Sequence, residues 1–141
     1  MLETLQRVNA TGAFNRWAGI QVVQAEAGHV ELRLPWREDL GQYAGYLHAA
    51  LIGGLIDTAC GFAAATVAGQ VLASHFSVNC LAPAVGEGFV VKARVVKPGR
   101  KQVFTTAEVH AETADGRKLV ATGDAILVPL DPPARPAPAA A

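Results

Sequence analysis

The chain has 141 residues, 51% of them hydrophobic, and twelve basic side chains balance twelve acidic ones. Its length and apolar content imply one globular domain with a full core, and the balanced charge excludes nucleic acid or an anionic membrane as the main partner. Cys60 and Cys80 lie in apolar stretches with neither metal-site spacing nor the density of a disulfide scaffold, so both are expected as reduced core residues of a cytoplasmic protein.

Leu2, Leu5 and Val8 recur at three-residue spacing, which predicts a short amphipathic helix before Gly12, with Phe14 and Trp17 following as packing anchors. Glu3 and the lack of a long apolar run distinguish this segment from a signal peptide. Residues 20–25 and 29–34 predict a hairpin around a turn at 26–28, because Val30, Leu32 and Leu34 alternate with Glu31 and Arg33. A polar, glycine-containing loop follows, 37–46.

Residues 48–67 are too long for a strand and poor in β-branched side chains, so they predict the one long helix, despite Gly53, Gly54 and Gly61. It is apolar nearly all round and needs wrapping by other elements. Its length approaches that of a membrane span, but His48, Asp57 and the many Gly and Ala residues suit close packing inside protein better than lipid. Asp57 is the conspicuous residue, since no other Asp, Glu, Lys or Arg occurs between Asp39 and Glu87. It is expected on a narrow face with Gly53, Gly54, Cys60, Gly61 and Ala64, where a ligand or another chain can approach.

Four strands are predicted to complete the chain in meander order, over 71–81, 89–96, 103–111 and 118–128, with Asp115-Gly116 marking one hairpin. Residues 131–141, rich in Pro and Ala, are expected to be a disordered tail after a single domain over 1–130. A long helix against an antiparallel sheet is an α+β arrangement. One sheet of this size cannot cover such a helix, so a partner subunit is expected.

No G-x-S-x-G elbow, phosphate-binding loop, dinucleotide fingerprint or H-E-x-x-H motif is present, and His29, His48, His75 and His110 are scattered, so no metal site is expected. What remains is His48 nine residues before Asp57 across a loop-to-helix junction. That pairing resembles the hotdog-fold acyl-CoA thioesterases of the phenylacetate-degradation (PaaI) type, within the 4-hydroxybenzoyl-CoA thioesterase superfamily. Their signature is a His-Gly-Gly loop entering a buried helix with an acid later in it. The matching positions are His48, Ala49, Ala50 and Asp57, and the likeness extends over 19–128, taking in LAPAVGEG and VVKPGRKQVFTTAEV.

The resemblance implies a hotdog fold, a long central helix wrapped by a curved antiparallel sheet. It also implies acyl-CoA thioester hydrolysis without a cofactor, CoA being part of the substrate. Ala49 N–H would polarise the thioester carbonyl, with Asp57 as nucleophile or general base. In a homodimer, expected to pair into a homotetramer, His48 and Ala49 would come from one subunit and Asp57 from the other. Gln42 falls where relatives place an amide that orients the acid or its water, and Ser74 is a further candidate for holding that water. Arg100 and Lys101 are candidates for CoA phosphates, and Phe76 or Phe62 for shaping the acyl pocket. Ala49 and Ala50 stand where the pattern has glycines, which keeps open a non-catalytic acyl-CoA binding protein. A hydroxyacyl-thioester dehydratase is the remaining alternative. On their own residues, Asp57 also reads as a buried acid hydrogen-bonded to local backbone or to a partner's hydroxyl and contributing only to assembly, His48 as a helix-start histidine bonded to backbone, and the two turn cations as solvated.

Overall fold

In a computed structural model, which describes residues 1–130, the spacing of Leu2 and Leu5 produces helix α1 (Leu2–Thr11), with Leu5 buried. A second short helix, α2 (Ala13–Ala18), follows Gly12. Phe14 and Trp17 lie on it as a tilted aromatic pair, 6.1 Å between ring centroids, and both stay substantially exposed instead of acting as buried anchors. Six residues make too short a helix to sink both rings. Phe14 lies against α3 (Ala49–Ala68) where Gly54 leaves room: a Cβ there would come within 2.8 Å of its ring.

The hairpin forms as β1 (Gln21–Glu26) and β2 (His29–Pro35), and Val30, Leu32 and Leu34 are all buried. Helix α3 is 20 residues long. By length and composition it could cross a membrane, yet it lies against every strand of the sheet with Leu55, Ile56, Ala59 and Ala63 sealed inside. Fully burying a Leu or Ile contributes roughly 1.5–3 kcal/mol, so this row is a main source of stability.

The remaining strands are β3 (Val71–Cys80), β4 (Gly88–Lys97), β5 (Val103–Thr113) and β6 (Gly116–Pro129). All pairings are antiparallel, in the order β1-β2-β4-β5-β6-β3. This corrects the expected meander, which holds only for β4-β5-β6. The segment 81–87 leaves the far edge and runs past the ends of β6 and β5: Leu81 N–H donates to Val120 O, Glu87 N–H to Glu112 O, and Trp36 N–H to Glu87 O. The chain thereby brings β4 beside β2, where its inward Phe89 and Val91 complete the core under α3.

Close approach of α3 to the sheet depends on Gly123 of β6, where a Cβ would collide with the Ser77 carbonyl and come 2.9 Å from the Ile56 side chain. Gly123→Ala is expected to destabilise the fold by about 1–3 kcal/mol through overpacking, measurable as a lower urea midpoint with unchanged slope.

Strand β3 is a sheet edge with its outer hydrogen-bonding side unpaired, and Leu72 and Phe76 on it are 63% and 47% exposed. A ten-residue apolar edge is a ready template for pairing with another chain. Cys80 lies at its exposed end, so only Cys60 is a core cysteine; both are free. Burial pushes the Cys60 thiol up to about 11, the Thr105 hydroxyl offsetting part of that and the Asp57 charge adding to it.

Candidate active site

The start of α3 is built by its flanking loop. Leu47 N–H donates to Ala84 O and His48 N–H to Leu40 O, so the crossing segment and a 3-10 turn at Glu38–Leu40 together fix where the helix begins. His48 is the N-cap, in extended conformation (φ −65°, ψ 139°), and its Nδ1 accepts from Ala50 N–H at 2.9 Å. Leu51 and Ile52 N–H both donate to His48 O. Three of the four orphan N–H groups of this helix end are thus satisfied. The fourth, on Ala49, has no acceptor among the described residues. His48 therefore does bond backbone, and in doing so leaves one donor free at the positive end of the helix dipole.

Ala49 lines a cavity of about 380 Å³ together with Gln42, Tyr46 and Cys80. The Gln42 amide reaches back only weakly, its Nε2 3.5 Å from Leu47 O.

Asp57 occupies a different place. Eight residues further along α3, it is roughly 12 Å from Ala49 by helical rise. It lines a second cavity, of about 810 Å³, enclosed by α1, α3, β3 and the end of β6. Gly54, Gly61 and Ala65 share its partly open face, whereas Gly53, Cys60 and Ala64 turn toward the sheet. The face is therefore narrower than the sequence suggested.

Burial raises the Asp57 carboxyl above the ordinary aspartate range, and no cation or hydrogen-bond donor among the described residues offsets it. The reading of a locally satisfied acid does not hold within one chain. Because the folded protein holds this proton more tightly than the unfolded chain, the stability attached to it is present at low pH and lost as pH rises through the raised value. Asp57→Asn removes that loss. The melting temperature of the variant relative to the parent is expected to climb as pH rises above the ordinary aspartate range, and a flat difference in a pH series of thermal melts refutes this.

The other expected site residues are scattered. Ser74 sits at a bulge of β3, its hydroxyl 3.4 Å from Ile126 O, outside both cavities. Phe76 faces Gly53, toward the start of α3, and Phe62 lines the Asp57 cavity. Arg100 and Lys101 are exposed in the β4–β5 turn, at the end of the sheet away from Ala49, since Val103 pairs with Leu127 while Ala84 lies against Leu47. Thr4, Val8 and Thr58, which the sequence reading passed over, line the Asp57 cavity. Thr58 follows Asp57 directly, but nothing in the sequence of α1 places it across α3.

The family model of the thioesterase superfamily matches residues 44–116, a span that holds the start of α3, Asp57 and strands β3, β4 and β5. The chain belongs to the thioesterase superfamily. It is similar to a thioesterase family protein from Silicibacter pomeroyi at 35% identity and TM-score 0.85, over 88% of this chain and 93% of that one. A curated Saccharolobus solfataricus protein, named by inference as an esterase, is 26% identical over 104 residues, 72% of this chain and 73% of its own. The Escherichia coli PaaI protein of the phenylacetic acid degradation operon shares the fold, with TM-score 0.78 over 93% of this chain and 97% of that one, at 18% identity. This thioesterase therefore has the hotdog architecture that its His48 and Asp57 pattern suggested, and it is a hydrolase of the thioesterase type.

Proposed function

We propose that this thioesterase hydrolyses acyl-CoA thioesters at a site shared between the two subunits of a homodimer. The observation that carries the reading is the separation within one chain: a free donor at Ala49 and an uncompensated acid at Asp57, on one helix but in different cavities. Neither half completes a reaction centre alone. A two-fold partner, joined through the unpaired edge of β3, would bring each Ala49 to the other subunit's Asp57 and make two equivalent sites.

In that arrangement the thioester oxygen accepts from Ala49 N–H, which stabilises the oxyanion as the carbonyl carbon becomes tetrahedral. His48 is a positioning residue: its cap on Ala50 N–H holds the first helical turn and leaves the Ala49 donor unshared. Asp57 supplies the attack in one of two ways. As general base it takes a proton from water, whose oxygen bonds to the carbonyl carbon. As nucleophile its own carboxylate oxygen forms that bond, giving a mixed anhydride that water then cleaves. Either way the C–S bond breaks, CoA leaves as thiolate and recovers a proton, and the acid is released. Gln42, which lines the same cavity as Ala49, would orient that water.

The test is release of free CoA thiol from a panel of acyl-CoA thioesters. Binding without thiol release would establish the non-catalytic module, and an enoyl product the dehydratase.

A further inference from the structure

The Asp57 cavity holds more information than the acid. Resting on the thioester hydrolase reading above, we infer that this cavity receives the acyl group, that Gly61 sets how large a group it accepts, and that α1 forms its opposite wall. The carbonyl carbon of the substrate must lie next to Asp57, so a cavity beginning there holds either the acyl group or the CoA arm. Its lining decides between them. Leu5 and Val8 of α1, Phe62 of α3, Leu72 of β3 and Leu127 of β6 make it apolar, and no Lys or Arg among the described residues contributes to it. A CoA phosphate would find no cation there, whereas an uncharged acyl chain finds hydrocarbon. The volume, about 810 Å³, falls within the range of roughly 300–1,000 Å³ usual for small-molecule sites. An acyl group ending in a carboxylate is disfavoured, because it would meet apolar walls and the Asp57 charge.

Gly61 stands one helical turn after Asp57 on the same wall, and a Cβ built there meets no atom within 4 Å among the described residues of its own chain. A side chain at this position therefore extends into the cavity without displacing protein. Thr4 and Thr58 add hydroxyls to its lining. Chain length and bulk of the acyl group are thus read by one helix face and by the N-terminal helix laid over it.

The test compares octanoyl-CoA with acetyl-CoA by thiol release in the full-length protein, its Gly61→Ala and Gly61→Val forms, and Val8→Phe. The ratio of kcat/KM for octanoyl over acetyl is expected to fall by roughly tenfold in Gly61→Val, less in Gly61→Ala, and in the same direction in Val8→Phe. Val8→Phe narrows the cavity from α1, so it decides the matter even if Gly61→Val fails to fold. An unchanged ratio, or equal loss on both substrates, overturns the inference while leaving thioester hydrolysis standing. If the parent protein releases thiol from neither substrate nor from any other acyl-CoA, the hydrolase reading itself falls and the acyl subsite with it.

Discussion

Asp57→Asn is expected to lower kcat/KM for acyl-CoA hydrolysis by about 10²–10⁴-fold, the span associated with loss of a positioned base. The substitution is nearly isosteric and breaks no ion pair, because the carboxylate has no charged or hydrogen-bonding partner among the described residues. It also relieves the cost of holding an ionised group in a half-apolar cavity, so the variant should fold at least as stably as the parent at neutral pH. Loss of activity can then be attributed to chemistry instead of unfolding. A well-folded Asn variant that turns over at the parent rate removes Asp57 from the mechanism, whichever route of attack is favoured.

The second large effect concerns the other half of the site. Ala49 is the first residue of α3, a position where proline is well tolerated, and His48 before it already has the extended backbone that proline requires of its predecessor. Ala49→Pro should therefore leave the helix and the melting temperature nearly unchanged while deleting the N–H left free at the start of α3. Losing such an oxyanion donor costs about 3 kcal/mol, or 10²–10³-fold in kcat. Ala49→Gly, which keeps the N–H, should stay near the parent rate.

The two variants together examine the shared site. If Ala49 and Asp57 of different subunits form each centre, random co-assembly of Ala49→Pro with Asp57→Asn subunits restores one intact centre in every mixed dimer. Activity should then recover to roughly a quarter of the parent value. No recovery in verified mixed dimers would place both groups within one chain, which the roughly 12 Å helical offset opposes.

Much of the fold was legible because its determinants are local. The alternation of Val30, Leu32 and Leu34, the apolar length of 49–68 and the glycine turns specify strands and helix by periodicity, which depends on neighbours in the chain. The strand order was not legible. Strands of similar apolar character after a helix carry no mark of which edge they join, and the position of β3 beside β6 follows from how segment 81–87 is tied across the strand ends. For the same reason Cys80 read as a core residue, although it lies on an exposed edge strand.

The candidate site divides along the same line. By itself the sequence determined that one acid stands alone in a long apolar segment, nine residues after a histidine at the helix entrance, since charge and spacing are properties of the chain. Tertiary structure alone decided that the Ala49 N–H is left free while His48 caps its neighbour, and that α1 folds over Asp57 to enclose a cavity. Hydrogen-bond satisfaction and enclosure depend on which surfaces meet, and residues as far apart in sequence as Val8 and Leu127 meet only when the sheet closes around its helix.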